Sequence, residues 1–162
     1  MLIISENITI KADVNTIWAF LTDFSISLKY NRFHTNLELP SNYSVGKMKK
    51  FNINHNFGFG NYEMVAEITE CTPPNRLCMS EYCKDAKGKG FPHSIQFYIE
   101  PHRDKSKIFY TVEGTYGGKV QDMSFKPILR GVMIEELLKI KNAIESSEKA
   151  PQPITTETAK PI

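Results

Sequence analysis

The sequence lacks several features that mark particular classes of protein. Its 162 residues contain no apolar run near the ~20 residues that a membrane-spanning helix needs. The first residues, MLIISE, have neither the basic segment nor the cleavage site of a signal peptide. We therefore expect a cytoplasmic protein without a membrane span.

Cysteine is scarce, with three residues, Cys71, Cys78 and Cys83. An odd number without a signal peptide favours free thiols in a reducing compartment. Their spacing does not match a zinc knuckle or ribbon. We expect buried structural thiols, because free cysteine is among the most commonly buried residue types.

Basic charge is neither large nor clustered. The formal net charge is +2, the lysines are spread along the chain, and no group of arginines occurs. A surface that follows a phosphate backbone needs such a group. We therefore expect no nucleic-acid partner.

Apolar and aromatic residues are plentiful, with ten Phe, seven Tyr and six Met. The length predicts a single domain, which we place at residues 1–146. Residues 147–162 are rich in Pro, Thr and Lys and carry few apolar side chains. They cannot bury enough surface to order themselves, so we expect a disordered tail.

The segment from Ile8 to Phe24, ITIKADVNTIWAFLTDF, changes its period from that of a strand to that of a helix. The helical face consists of four residues at i, i+3, i+4 and i+7: Val14, Ile17, Trp18 and Leu21. Asp13 is suited to cap this helix, because its carboxylate can accept the free amides of the first turn. We expect Trp18 to be buried between the helix and a sheet.

Alternating segments after this helix predict a series of strands joined by short turns, and hence antiparallel neighbours. A second short helix or turn is expected at residues 25–31. Counting the first strand at 3–10, the predicted strands are seven: 3–10, 35–39, 47–54, 62–69, 76–83, 95–100 and 108–112.

One long helix is predicted for residues 119–146. Its apolar stripe consists of Phe125, Leu129, Val132, Met133, Leu137, Ile140 and Ile144, and its solvated side of Arg130, Glu135, Lys139 and Lys141. Pro127 either starts the main helix or kinks it, since proline cannot donate to the preceding turn.

A strand that leads into a capped helix carrying Trp18, then a run of strands and one long final helix, resembles the START-like superfamily. This group is also called the polyketide cyclase/dehydratase and lipid-transport superfamily, or the Bet v 1 fold. The resemblance spans residues 1–146. It implies an α+β helix-grip fold, in which a curved seven-stranded antiparallel sheet wraps around a long C-terminal helix, with two short helices after the first strand.

The resemblance also implies an apolar cavity between sheet and helix for a hydrophobic small molecule, such as a lipid, a polyketide or an aromatic compound. One alternative is a cyclase/dehydratase-type enzyme that uses the same cavity. Another is a protein-interaction module with a filled core. A homodimer is compatible with each of these.

The candidate ligand-binding residues are Phe51, Tyr62, Met64, Met79, Phe97, Tyr110, Phe125, Leu129 and Met133. The candidate polar groups of the cavity are Tyr30, Arg32, His34, Glu81 and His93. His34 can act as a general base, because histidine titrates near neutrality, although the sequence favours a histidine in a surface loop. His55 and His102 fall in or beside predicted turns, where we expect them to be solvated. No histidine pair has the helical i, i+4 spacing of a metal site, so we expect no metal site. We also expect no cofactor.

Overall fold

A computed structural model describes residues 1–46, 49–58, 60–84 and 90–147. The chain runs from a strand through short helices into six further strands and a final helix. The elements are β1 (Leu2–Ile10), α1 (Val14–Thr22), α2 (Phe24–Ser27), a 3-10 helix (Leu28–Tyr30), β2 (His34–Glu38), β3 (Lys50–Asn56), β4 (Asn61–Thr72), β5 (Arg76–Cys83), β6 (His93–His102), β7 (Lys105–Gly114) and α3 (Lys119–Ser147).

The seven strands form one antiparallel sheet in the order β1-β7-β6-β5-β4-β3-β2. Every pair apart from β1 and β7 joins strands that are consecutive in the chain, as the short turns predicted. Inward and outward residues alternate most regularly along β7, where Ile108, Tyr110 and Val112 are buried. The predicted α+β helix-grip architecture is confirmed.

The helix α1 begins where the sequence predicted. The Asp13 carboxylate accepts hydrogen bonds from the backbone amides of Asn15 and Thr16. Ile17 and Leu21 are buried, but Trp18 is only half-buried. Trp18 packs partly against the core and lines an open surface groove together with Tyr43, so it is less buried than the sequence predicted.

The helix α3 covers the concave face of the sheet with the predicted stripe, and all seven of its residues are buried. Pro127 lies inside α3, eight residues after the helix begins at Lys119, so it does not start the helix. Because Pro127 is exposed, the hydrogen bond it cannot make is lost on the solvent side.

Two further expectations need correction. The strand predicted at 47–54 begins at Lys50 and continues to Asn56; residues 47 and 48 lie outside the described residues. The three cysteines are free, as predicted, but each is half-buried, not buried. The predicted tail, apart from Ser147, also lies outside the described residues.

Candidate functional site

Two groups of polar side chains lie inside the core. The first, which we call the glutamate trio, consists of Asn31, Tyr110 and Glu136. The second, which we call the histidine cluster, consists of His34, His55, Glu81 and His93. Buried polar groups are costly unless they are paired, so both groups are candidates for function.

The glutamate trio joins the loop before β2, the strand β7 and the helix α3. Asn31 Nδ2 donates to Glu136 Oε2 at 2.9 Å, and the Tyr110 hydroxyl donates to the same oxygen at 3.2 Å. Glu136 is 3% exposed, so its carboxyl group has left water almost completely. Burial raises the pKa of Glu136 to about 8, although the two hydrogen bonds act in the opposite direction.

Glu136 also borders a small cavity enclosed by the sheet, α3 and the short helices that follow β1. The other residues of its wall include Leu77, Met79 and Phe97 from the sheet and Ile140 from α3. The cavity volume is ≈ 10 Å³, about enough for one water molecule. The trio therefore places a mainly protonated carboxyl group on the wall of a narrow apolar gap.

The histidine cluster is assembled by strand register. His34 on β2 is paired with His55 on β3, and Glu81 on β5 is paired with His93 on β6. The curvature of the sheet brings the two pairs together. His55 Nε2 lies 2.9 Å from Glu81 Oε2, and His93 Nε2 lies 3.4 Å from that oxygen.

Backbone carbonyl groups fix two of the three imidazoles. His34 Nδ1 lies 2.7 Å from the Leu28 carbonyl oxygen, and His93 Nδ1 lies 2.6 Å from that of Phe91. A carbonyl oxygen only accepts, so each Nδ1 carries the proton and each Nε2 presents a lone pair. His55 has no such partner: its contact with Glu81 is short but lacks hydrogen-bond geometry.

The surroundings keep these imidazoles neutral. Burial lowers the pKa of His55 to about 3 and that of His34 to about 4, and the neighbouring His55 lowers the His34 pKa further. Burial also lowers the pKa of His93. At neutral pH the cluster is therefore a set of nitrogen lone pairs around one carboxyl group.

An aromatic wall adjoins the histidine cluster. Phe57 stands at its centre, with its ring centroid 5.0 Å from that of His55. Other aromatic rings surround Phe57 at centroid distances of 5.3–6.2 Å: those of Phe33, Tyr62, Phe91, Tyr116 and Phe125. The polar cluster is thus enclosed by apolar surface on this side.

The structure places the nine predicted ligand-binding residues in three groups. Met79, Phe97 and Tyr110 lie around the glutamate trio, and Tyr62 and Phe125 belong to the aromatic wall. Four others are buried core residues: Phe51, Met64, Leu129 and Met133. Tyr62 is half-buried.

The predicted polar groups also divide. His34, Glu81 and His93 meet in the histidine cluster, but Tyr30 is half-buried and stacks on Phe20. Arg32 is outside the core, with its side chain 53% exposed and 3.4 Å from the carboxylate of Glu135.

His55, Asn31 and Glu136 were missed. The expectation that His55 is solvated was wrong, because His55 is 2% exposed on β3. His55 follows the buried residues Phe51 and Ile53 at a spacing of two, which places it on the same face of the strand and predicts its burial. Glu136 stands within the apolar stripe of α3, next to Leu137 and three residues after Met133, which was the available signal. His102 is exposed, as expected.

Comparisons with known proteins support the fold. A START superfamily protein from Mycobacterium smegmatis matches 90% of this chain and 98% of its own, at 13% identity and a TM-score of 0.67. A conserved protein from Geobacillus kaustophilus matches 90% and 97%, at 18% identity and a TM-score of 0.69. The Aha1 dimer from Colwellia psychrerythraea matches 90% and 97%, at 19% identity and a TM-score of 0.63.

The likeness to these structures shows that the chain has a START-like fold, as the sequence predicted. Protein-family models give no match. A search of curated proteins gives none either. Among the helices of the described residues, none is both long and apolar enough to cross a membrane.

Proposed function

We propose that the protein binds a small, mainly apolar molecule in the gap between the sheet and α3, next to Glu136. The observation that carries this proposal is a buried carboxyl group on an apolar wall. Small-molecule sites typically combine apolar walls with a few placed polar groups. The START-like fold and the free cysteines fit a ligand-binding protein that acts in the cytoplasm.

The size of the gap constrains how a ligand enters. A cavity of ≈ 10 Å³ does not hold a lipid or a polyketide in this conformation. Binding therefore requires the side chains of the wall, such as Met79 and Phe97, to move apart. Methionine suits this role because it is unbranched and adapts its shape.

The test uses a fluorescent apolar dye at about pH 7 and about pH 9, on either side of the Glu136 pKa. Ionisation of Glu136 places a charge in the apolar gap, so we expect dye affinity to fall at the higher pH. Glu136→Gln should bind without this pH dependence. Glu135→Gln, at the neighbouring half-buried position, should behave like the wild type. Circular dichroism checks that the protein stays folded at both values. If the dye bound saturably at neither pH, that result would contradict the proposal.

An enzyme of the cyclase/dehydratase type is the second candidate. The observation that favours it is the convergence of titratable groups, with Glu136 poised near neutral pH for general acid–base work. The two candidates separate once a ligand is found. An enzyme converts it to a product of different mass, and Glu136→Gln stops the conversion while binding persists.

A homodimer is supported by an exposed apolar face of α3. Val120, Met123, Ile134 and Leu138 recur at helical spacing along it and are 39–74% exposed. The structural relative from Colwellia psychrerythraea is itself a dimer. Light scattering should report twice the chain mass for the wild type and for Lys126→Glu, and the monomer for Leu138→Glu; a monomeric wild type would exclude the dimer.

A further inference from the structure

We propose that His34, His55 and Glu81 form a binding site for one divalent first-row transition-metal ion, such as zinc. The donor atoms of these three residues all lie within 4.8 Å of one another. Zinc takes its ligands at about 2.0–2.2 Å, which puts neighbouring donors of a tetrahedron roughly 3.4 Å apart. Small side-chain rotations are therefore enough to close the site.

Hydrogen bonding within the histidine cluster is incomplete among the described residues. Both carboxyl oxygens of Glu81 and both ring nitrogens of His55 are buried, and within the described part of the chain none has a hydrogen-bond partner. Glu81 is 1% exposed and His55 is 2% exposed. Buried polar atoms without partners are rare in proteins and call for a partner such as an ion or a water. One cation among these atoms satisfies them together.

The orientation of His34 also fits a metal ligand. Its Nδ1–H donates to the Leu28 carbonyl oxygen, which leaves Nε2 as the free donor atom toward the cluster. Metal-binding histidines usually anchor the other ring nitrogen in this way, which fixes both the tautomer and the ring plane. The 3-10 helix before β2 thus provides the outer support of the site.

His93, which contacts the same carboxyl group of Glu81, also fits a cation held there. Its Nδ1–H is used by the Phe91 carbonyl oxygen, so its Nε2 lone pair faces Glu81 Oε2 at 3.4 Å. Two acceptors that face each other at this distance are stabilised by positive charge nearby. An ion held by Glu81 supplies that charge.

The donor set indicates the class of metal. Imidazole with a single carboxylate suits zinc, iron, nickel or copper, whereas magnesium and calcium prefer oxygen ligands. Metal binding requires imidazoles that have lost their protons, so we expect affinity to weaken as pH falls.

The test is a zinc titration of chelator-treated full-length protein by calorimetry, with cobalt as a spectroscopic substitute. We expect one ion per chain and a cobalt spectrum with nitrogen and oxygen ligands. His55→Gln and Glu81→Gln should each weaken binding by about tenfold or more. His102→Gln is the matched control, because His102 is exposed and is the one histidine of the sequence outside the histidine cluster. This variant should bind zinc like the wild type.

Several outcomes would overturn the proposal. One is that the wild type does not bind one zinc ion per chain. Another is an equal loss of affinity in His102→Gln, and a third is a cobalt spectrum dominated by sulfur, which would place the ion on the cysteines. If Glu81→Gln fails to fold, two measurements still decide the question. One is the zinc affinity of His55→Gln, and the other is whether zinc raises the melting temperature of the wild type.

Discussion

Replacing Glu136 by Gln should change how the stability of the protein depends on pH. Burial raises the pKa of Glu136 from 4.5 to about 8 in the folded protein, so the folded state holds this proton more tightly than the unfolded chain. The resulting stabilisation is fully present below about pH 4.5. It is lost as pH rises toward and through about 8.

The magnitude follows from the size of the shift. At about 1.4 kcal/mol per pKa unit, the whole shift corresponds to roughly 5 kcal/mol, most of it within the window between the two values. From about pH 6 to about pH 9, the loss is roughly 3 kcal/mol. No discount for solvent screening is needed, because Glu136 is 3% exposed.

Urea unfolding of the wild type and of Glu136→Gln at both pH values measures this loss. The buried histidines titrate in the opposite sense, since their lowered pKa values make the fold less stable as pH falls. Both proteins contain the same histidines, so this contribution cancels in the difference between their free energies of unfolding. We expect the free energy of unfolding of the wild type, relative to that of Glu136→Gln, to fall by roughly 3 kcal/mol from about pH 6 to about pH 9. Glu135→Gln should track the wild type, and a difference that does not vary with pH would refute the reasoning.

Three further predictions concern packing and the tail. Gly114→Ala should destabilise by roughly 1–3 kcal/mol, because a Cβ there would lie 2.6 Å from His93 Cβ and 2.7 Å from the Pro92 carbonyl oxygen. Gly131→Ala, with open space at the Cβ position in α3, should instead stabilise by about 0.5–1 kcal/mol; equal effects in urea unfolding would contradict this contrast. Trp18→Ala should cost about 1–3 kcal/mol, below the ~3–5 kcal/mol of a fully buried aromatic, and a larger loss would mean that its groove is closed in solution. Truncation after Ser147 should leave the melting temperature unchanged, and a fall of many degrees would show that the tail docks.

Sequence patterns predicted the fold well because periodicity reports which face of an element is buried. The α3 stripe from Phe125 to Ile144 and the alternation along β7 depend only on local spacing. Trp18 was harder to place, because burial at the edge of a helical face depends on what covers it. The chain near Tyr43 leaves an open groove there.

The candidate site was predicted only in part, because strand register assembles it. His34, Glu81 and His93 were recognised as chemically capable, but nothing local shows that β2, β3, β5 and β6 bring them together. The spacing of histidines along one helix cannot report a group such as His34, His55 and Glu81, because these residues come from separate strands. Glu136 was missed because charged residues in long helices are usually solvated, whereas this one lies within the apolar stripe of α3.

Native mass spectrometry of the freshly purified protein tests the central claim, an interior ligand site beside Glu136, most directly. The account predicts a population heavier than the bare chain by the mass of one small molecule, which is released on raising the pH above about 8. Glu136→Gln should retain that molecule at the higher pH. A spectrum of the bare chain alone, together with no saturable dye binding, would contradict the claim.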